Sequence, residues 1–375
     1  MNDDDLGHLI AFLHLADFGA VRTRVLLDLD RASPGAIAEA WQRCRSGRPP
    51  HELLATSELA TSWATAARGL DPGELFDRHR AFGVVITIAG DAAHPSDHQD
   101  DPHVPPMLFW SAPPPSDGLP RVAIVGTRRA TRYGLDLAHE FGRSLSEAHL
   151  RVVSGLALGI DAAAHSGALA AADAPPVAVV ACGLDRIYPR RNRELWRAVA
   201  RAGVIVSEVP LGTAPLAWRF PARNRIIAAL CGAVVVVESH ERGGSLITAR
   251  YAGDRGVPVL AVPGSVRSPA SLGTNQLIAD GCAPCLGVDD VLMAIGLCGD
   301  PHGRPGDGVP AGLDPELVAV LSAMAWEPVT LEDLASRVDI GVAALTVALA
   351  RLQDERLVAA LGGRYERRTG SSGPR

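Results

Sequence analysis

Between Trp218 and Ser245 the chain reads W-R-F-P-A-R-N-R-I-I-A-A-L, passes through an apolar run and continues E-S-H-E-R-G-G-S. Arg219, Arg223, Asn224 and Arg225 fall at or near the start of a predicted helix, where guanidinium forks and free backbone N–H groups can face one anion. That combination suits a phosphate chain. From Arg186 to Arg225 there are nine arginines against two acids, Glu194 and Glu208, in a chain whose formal net charge is -6. Such a local excess can hold a polyanion even on an acidic protein. Tyr188, Trp196, Trp218 and Phe220 interleave with these arginines although aromatics make up only 5% of the sequence, and aromatic faces are what unpaired bases stack on. Single-stranded nucleic acid is therefore expected ahead of duplex. Part of the pattern has a plainer reading: Arg193, Arg197 and Arg201, at helical spacing around Trp196, suit a solvated helix face over a core tryptophan.

Two glycine-containing turns upstream could also meet an anion. Val125-Gly126-Thr127-Arg128-Arg129 combines a glycine, a hydroxyl and two guanidiniums, and Ser154-Gly155-Leu156-Ala157-Leu158-Gly159-Ile160-Asp161 combines two glycines with a small polar residue. Glycine lets a backbone approach phosphate oxygens with no Cβ in the way. Neither turn is the dinucleotide G-x-G-x-x-G or a Walker loop, so nicotinamide and ATP lose their usual warrant and no cofactor is expected. All 36 basic residues are arginine, which removes Schiff-base and P-loop lysine mechanisms.

Catalytic groups are not convincingly present. Ser154 sits in V-V-S-G-L instead of G-x-S-x-G, and Ser245 falls at a helix start, so both read as caps or phosphate ligands. Asp161 and His165 are spaced to pair on one helix, or are a first-turn acid and an ordinary histidine. Glu238 ends a strand, placed to orient Arg242 or a neighbouring loop, with a catalytic role the lesser alternative. Cys282-Ala-Pro-Cys285 has the spacing of half a metal site with no second pair to complete it. The expectation is a binding protein without catalysis or metal.

The elements that must position these residues follow from periodicity. A chain of 375 residues suits two or three domains. It has no apolar run near the length of a membrane span, and its acidic start M-N-D-D-D-L is unlike a signal peptide, so cytoplasm is expected. Its six cysteines are most simply free thiols. Residues 1–80 read as a small domain of short helices, with Leu6, Leu9, Ile10 and Leu13 on one face; Asp17-Phe18-Gly19-Ala20 resembles the tight turn of a helix-hairpin-helix but, with few basic neighbours, reads rather as a structural turn. Val84 to Ile88 and Met107 to Trp110 are short apolar runs around a Pro-, Asp- and His-rich stretch. From Val122, six apolar runs alternate with amphipathic helices, which implies a doubly wound parallel sheet within residues 81–298, with ligands at the carboxyl ends of its strands. Residues 299–312 have the composition of a linker. Residues 313–368 outline three helices and a hairpin, a winged helix, whose third helix, Gly341 to Gln353, carries no arginine before Arg351 and so suits protein contact over base readout. Residues 369–375 read as a disordered tail.

These motifs resemble the DNA-processing protein A (DprA, also called Smf) family. V-A-I-V-G-T-R-R-A-T-R-Y-G, V-V-S-G-L-A-L-G-I-D-A-A-A-H, C-G-L-D-R-I-Y-P, I-V-S-E-V-P-L-G-T-A-P, F-P-A-R-N-R-I-I-A-A-L, E-S-H-E-R-G-G-S-L-I-T-A-R-Y-A and P-G-S-V-R-S-P-A-S-L-G-T-N-Q-L-I-A-D-G occur in family order from Val122 to about Cys285. The helical start, similar to SAM or helix-hairpin-helix modules, and the winged-helix tail loosely resemble the family's accessory domains. The resemblance implies an extended Rossmann-like domain that binds single-stranded DNA without known catalysis, forms a homodimer, and helps load the RecA recombinase during uptake of DNA by transformation. Carried onto this chain, the DNA-facing positions are Gly126, Thr127 and Arg128; Ser154, Gly155 and Gly159; Phe220, Arg223, Asn224 and Arg225; and Gly243, Gly244 and Ser245. Two departures bear on local packing: His94-Pro95 stands where Tyr-Pro is usual, and L-C-G replaces G-L-S after R-N-R-I-I-A. The same Rossmann variant also resembles nucleoside-monophosphate phosphoribohydrolases, which carry P-G-G-x-G-T followed by a glutamate pair. Here Glu241-Arg242-Gly243-Gly244-Ser245-Leu246 offers no acid at that pair's place.

Overall fold

The structure, a computed structural model, describes residues 1–52, 54–95, 104–297, 313–324, 328–338 and 340–367. The expected linker 299–312, the tail 369–375 and part of the Pro-, Asp- and His-rich stretch lie outside the described residues. Two compact units are present, Met1–Cys285 and Leu286–Arg375.

The first unit begins with five helices, α1 (Asp3–Leu13), α2 (Ala20–Ala32), α3 (Ala36–Arg45), α4 (Ser57–Ala67) and α5 (Pro72–Phe82). Their ends follow from capping chemistry. The Asn2 side chain accepts from Asp5 N at 2.8 Å, Asp71 accepts from Glu74 N at 3.1 Å ahead of Pro72, and α5 stops at Gly83 in the left-handed region. Phe12, Leu26, Trp41 and Trp63 from these helices bury with Phe109, Val180, Trp196 and Ile205 in one continuous core. The change near residue 80 therefore separates two kinds of secondary structure but not two cores.

Nine strands follow: β1 (Val85–Ile88), β2 (Met107–Trp110), β3 (Arg121–Val125), β4 (Arg151–Ser154), β5 (Val177–Val180), β6 (Val204–Ser207), β7 (Ala233–Val236), β8 (Val259–Ala261) and β9 (Ala283–Pro284). They form one sheet in the order β1-β2-β6-β5-β4-β3-β7-β8-β9. Pairing is parallel from β6 through β9, whereas β1 with β2 and β2 with β6 are antiparallel. The runs from Val122 onward pair in parallel as their alternation with helices implied, and the two earlier runs add an antiparallel edge: the sequence joining β1 to β2 lacks the apolar periodicity of the crossover helix that parallel neighbours require. His94 lies in that connection and replaces the usual tyrosine. It is buried, with Nδ1 2.9 Å from Thr87 Oγ1 and Nε2 2.9 Å from the Pro105 carbonyl oxygen, so the departure is absorbed by two hydrogen bonds.

Successive strand residues feed opposite faces, as the pleat dictates. Val177, Val179, Val204 and Val206 enter a second core with Ile226, Ile227, Ala249 and Ala252, while Ala178, Val180 and Ile205 enter the first. Both faces are covered, by α6 (Arg132–Glu147), α7 (Ile160–Ala171), α8 (Arg193–Ala202), α9 (Arg219–Ala229), α10 (Ser245–Gly253) and α11 (Leu272–Ala279). After β3 the chain builds outward through β4, β5 and β6, then returns to place β7 on the other side of β3. The gap between the exits of β3 and β7 is the topological switch point, where such sheets bind ligands.

The second unit holds α12 (Val288–Ala294), α13 (Pro315–Ala323), α14 (Leu331–Ala335) and α15 (Val342–Asp354), with β10 (Val329–Thr330), β11 (Val358–Leu361) and β12 (Arg364–Arg367). The strands pair antiparallel in the order β10-β12-β11. Leu317, Val320, Leu321, Leu334, Leu345, Leu349 and Leu352 form its core, and Thr330 caps α14 by accepting from Asp333 N at 3.1 Å. No described helix in either unit is long and apolar enough to cross a membrane.

Candidate nucleic-acid interface

A cleft of about 700 Å³ opens at the switch point, walled by the turns after β3 and β7 and by α9 and α10. Its base is drawn tight. Thr127 N donates to the Glu238 carbonyl oxygen at 2.8 Å, and a Cβ on Gly126 would stand 2.5 Å from Ile160 Cγ1. The Glu238 side chain accepts from Thr131 N at 2.9 Å and from Thr131 Oγ1 at 2.5 Å, while Thr131 Oγ1 accepts from Gly134 N at 3.1 Å to cap α6. Glu238 thus holds a neighbouring loop: it pins the turn that carries Arg128 and Arg129. Both of these arginines are exposed at the cleft, as is Arg242 across from them. Thr127 Oγ1 accepts from Arg129 N at 3.2 Å and lies 3.2 Å from His240 Nδ1.

Arg223 differs from the sequence expectation. It is 4% exposed, and its guanidinium donates to the carbonyl oxygens of Gly155, at 2.9 Å, and Val179. Burial pulls its pKa down to about 10 and Asp161 opposes that shift, so it stays protonated at neutral pH. Asp161 accepts from Gly155 N at 3.2 Å; burial raises its pKa, and Arg223 is the leading influence holding it down. The physical reason is helix phase: α9 starts at Arg219, so Arg223 sits a full turn inside and reaches the sheet. Arg225 is a second departure. It pairs with Glu208 and lines a different cavity.

Three further expected positions turn out to hold the fold beneath the cleft without lining it. Ser154 is fully buried and its Oγ donates to the Ile124 carbonyl oxygen at 2.6 Å. Gly155 is small because a Cβ there would stand 2.3 Å from the Arg223 guanidinium. Gly159, at φ +82°, would place a Cβ 2.3 Å from the Thr127 carbonyl oxygen, and an L side chain there would also be strained. These glycines admit protein atoms where the sequence suggested a phosphate. His165, on the same helix as Asp161, is also fully buried, and burial pulls its pKa down to about 4.

The remaining expected residues converge. Gly126, Thr127, Arg128, Phe220, Asn224, Gly243, Gly244 and Ser245 all line the cleft, with Arg223 at its floor. Asn224 Nδ2 donates to the Gly244 carbonyl oxygen at 3.1 Å, which ties α9 to the start of α10, and Ser245 Oγ donates to Ser239 Oγ at 2.9 Å, which closes the turn after β7. Phe220 packs against Tyr188 with ring centroids 5.3 Å apart, and the Arg128 guanidinium lies 5.1 Å from the Phe220 centroid, within cation–π range. Trp196, by contrast, is core. Sequence reasoning placed Arg129 in a candidate anion turn without carrying it into the DNA-facing set, and missed His240 and Arg242 as lining residues; the adjacency of Arg242 to the G-G-S turn was the available signal. The result is a rim of three exposed guanidiniums, one buried acid and an aromatic pair, which is chemistry for a phosphate backbone with unpaired bases.

Comparison with known proteins identifies the family. The sequence profile described as DNA recombination-mediator protein A matches residues 85–296. Protein Smf of Synechocystis sp. is 32% identical over 335 residues, covering 80% of this chain and 84% of that protein. DNA processing protein DprA of Streptococcus pneumoniae is 39% identical over 217 residues, 58% of this chain and 74% of that protein. An X-ray structure of DprA from the same species aligns with a TM-score of 0.61 at 27% identity, over 78% of this chain and 98% of that one. DNA processing protein A of Helicobacter pylori, whose structure concerns its single-stranded DNA binding mode, aligns with a TM-score of 0.50 at 28% identity, over 57% of this chain and 96% of that one. The profile match over residues 85–296, together with 32% identity to a Smf protein across 84% of its length, places the chain in the DNA recombination-mediator protein A family, that of the DprA and Smf proteins.

Proposed function

We propose that the switch-point cleft binds single-stranded DNA and that the protein acts as a recombination mediator, protecting incoming strands and helping to load RecA on them during DNA uptake. The observation that carries this reading is the meeting of Arg128, Arg129 and Arg242 with the Phe220–Tyr188 pair in one cleft. Guanidiniums neutralise phosphates in any sequence, and aromatic rings that line a cleft favour bases that are not already paired. Titration of fluorescent single- and double-stranded oligonucleotides of equal length across a salt series tests it. Tighter single-strand binding is expected, with log affinity falling by about 0.7 per phosphate neutralised for each unit of log salt. Equal or stronger duplex binding at matched salt would overturn it.

The mediator role rests on family membership, and the rate of RecA filament growth on an oligonucleotide, followed with and without the protein, tests it. A homodimer would present two clefts to one strand and raise avidity through effective concentration; light scattering decides this. The second unit reads as a winged helix suited to protein contact: the outward side of α15 exposes Val342 and Val347, and its Arg351 pairs with Asp314 at 3.2 Å.

The reading is of a binding protein and not an enzyme. The G-G-S turn is followed by Leu246, Ile247 and Thr248 with no acid at the place of the glutamate pair, which disfavours the phosphoribohydrolase alternative. Incubation with nucleoside monophosphates should release no free base. Release that disappeared in Glu238→Gln would establish the enzyme instead.

A further inference from the structure

Helix α9 is a wall shared by two clefts. Phe220, Pro221, Asn224 and Ile227 line the first, while Trp218, Arg219, Ala222 and Arg225 line a second of about 690 Å³. The second cleft also lies at the carboxyl edge of the sheet, over Ala181 after β5 and Glu208 and Val209 after β6, and the turn between α1 and α2 covers it. At the entry to α9 the two are separated by single residues: Pro215 and Ala217 belong to the first, Ala214 and Trp218 to the second.

Their chemistries differ. The first cleft presents three exposed arginines. The second has two arginines, Arg219 and Arg225, and two acids, Asp17 and Glu208, in its lining, with Arg225 paired to Glu208, and the rest is largely apolar. A phosphate gains little from such a balanced lining, but a flat neutral group with a polar edge suits it. Trp218 is 63% exposed, with the Arg219 guanidinium 4.5 Å from its ring centroid, so a planar platform stands at the rim. Among the described residues, buried Nε of Arg219 and Nε2 of His14 have no hydrogen-bond partner, although buried polar atoms are normally satisfied. Both residues line this cleft.

We propose that the second cleft is a nucleobase pocket, in which an unpaired base of a strand bound in the first cleft crosses the entry to α9, stacks on Trp218 and offers its polar edge to Arg219 and His14. The proposal rests on the single-strand reading of the first cleft. It assigns the two clefts a division of labour, with phosphates held on one side of α9 and a base on the other.

The test compares an oligothymidine with an abasic oligonucleotide of equal length, which keeps the phosphates and lacks the bases. Trp218→Ala should weaken oligothymidine binding about tenfold, since stacking of one base is worth roughly 1–3 kcal/mol, and leave the salt slope and the abasic affinity unchanged. Trp218→Phe should keep most of the affinity. Ala222→Leu, which fills the second cleft from α9, should reproduce the base-dependent loss. Unchanged oligothymidine binding by Trp218→Ala and Ala222→Leu, with salt-dependent binding intact in the wild type, overturns the pocket and leaves the first cleft standing. An equal loss for the abasic strand also overturns it, because the effect would not depend on a base. A wild-type protein that binds neither oligonucleotide overturns the single-strand reading and the pocket with it.

Discussion

The Arg223 guanidinium donates to the Gly155 carbonyl oxygen at 2.9 Å, and a Cβ on that glycine would stand 2.3 Å from the same group. The two residues are a fitted pair joining α9 to the exit of β4. Arg223→Ala would leave the Gly155 and Val179 carbonyls and Asp161 without their buried cation, a loss of roughly 3 kcal/mol or more of stability. Gly155→Ala should destabilise by a similar amount through displacement of the guanidinium. Denaturant midpoints of the single and double variants check this, and the double should lose much less than the sum because both changes break one contact.

The exposed arginines should separate cleanly from the buried one. Arg128→Ala, Arg129→Ala and Arg242→Ala are each expected to leave the denaturation midpoint unchanged and to lower the magnitude of the salt slope for single-stranded DNA by about 0.7. Arg225→Ala, whose guanidinium is paired with Glu208, should change the slope far less. Anisotropy titrations across salt measure both.

Phe220→Ala should act on bases and not on phosphates. The ring is held by Tyr188 and Arg128, and its removal is expected to weaken single-strand binding about tenfold with the salt slope retained. A larger loss for an oligothymidine than for an abasic strand is the expected signature.

Stability should fall in mild acid through His165. Its folded pKa is depressed by burial to about 4, below an unfolded value of about 6.5. The unfolded chain therefore takes up the proton first. The stability of the neutral buried ring is fully present above about pH 6.5 and is lost as pH falls toward about 4, by roughly 3 kcal/mol at the limit. His165→Leu should flatten the change in denaturant midpoint between about pH 7 and about pH 5 relative to the wild type.

The sequence by itself determined the strands and the loops that carry the cleft. Near-continuous Val and Ile runs such as Val234 to Val237 have no polar face to give water, so they end as strands buried on both sides. The glycine, arginine and hydroxyl residues after them then fall at the carboxyl edge whatever the details of packing. The Gly126-Thr127-Arg128 and Gly243-Gly244-Ser245 turns were legible for that reason, and the ordered motifs made the family legible too. Tertiary structure alone decided which arginine does what. Arg223, Asn224 and Arg225 are consecutive, but successive helical residues turn by about 100°, so the first enters the sheet, the second faces the switch-point cleft and the third faces Glu208 in the other cavity. A guanidinium on a long apolar stem can end in water or in the core, and the sequence of α9 reads the same in either case. The antiparallel edge of the sheet, the fusion of α1–α5 into its core and the second cleft depend likewise on contacts between residues far apart in the chain, which local pattern does not encode.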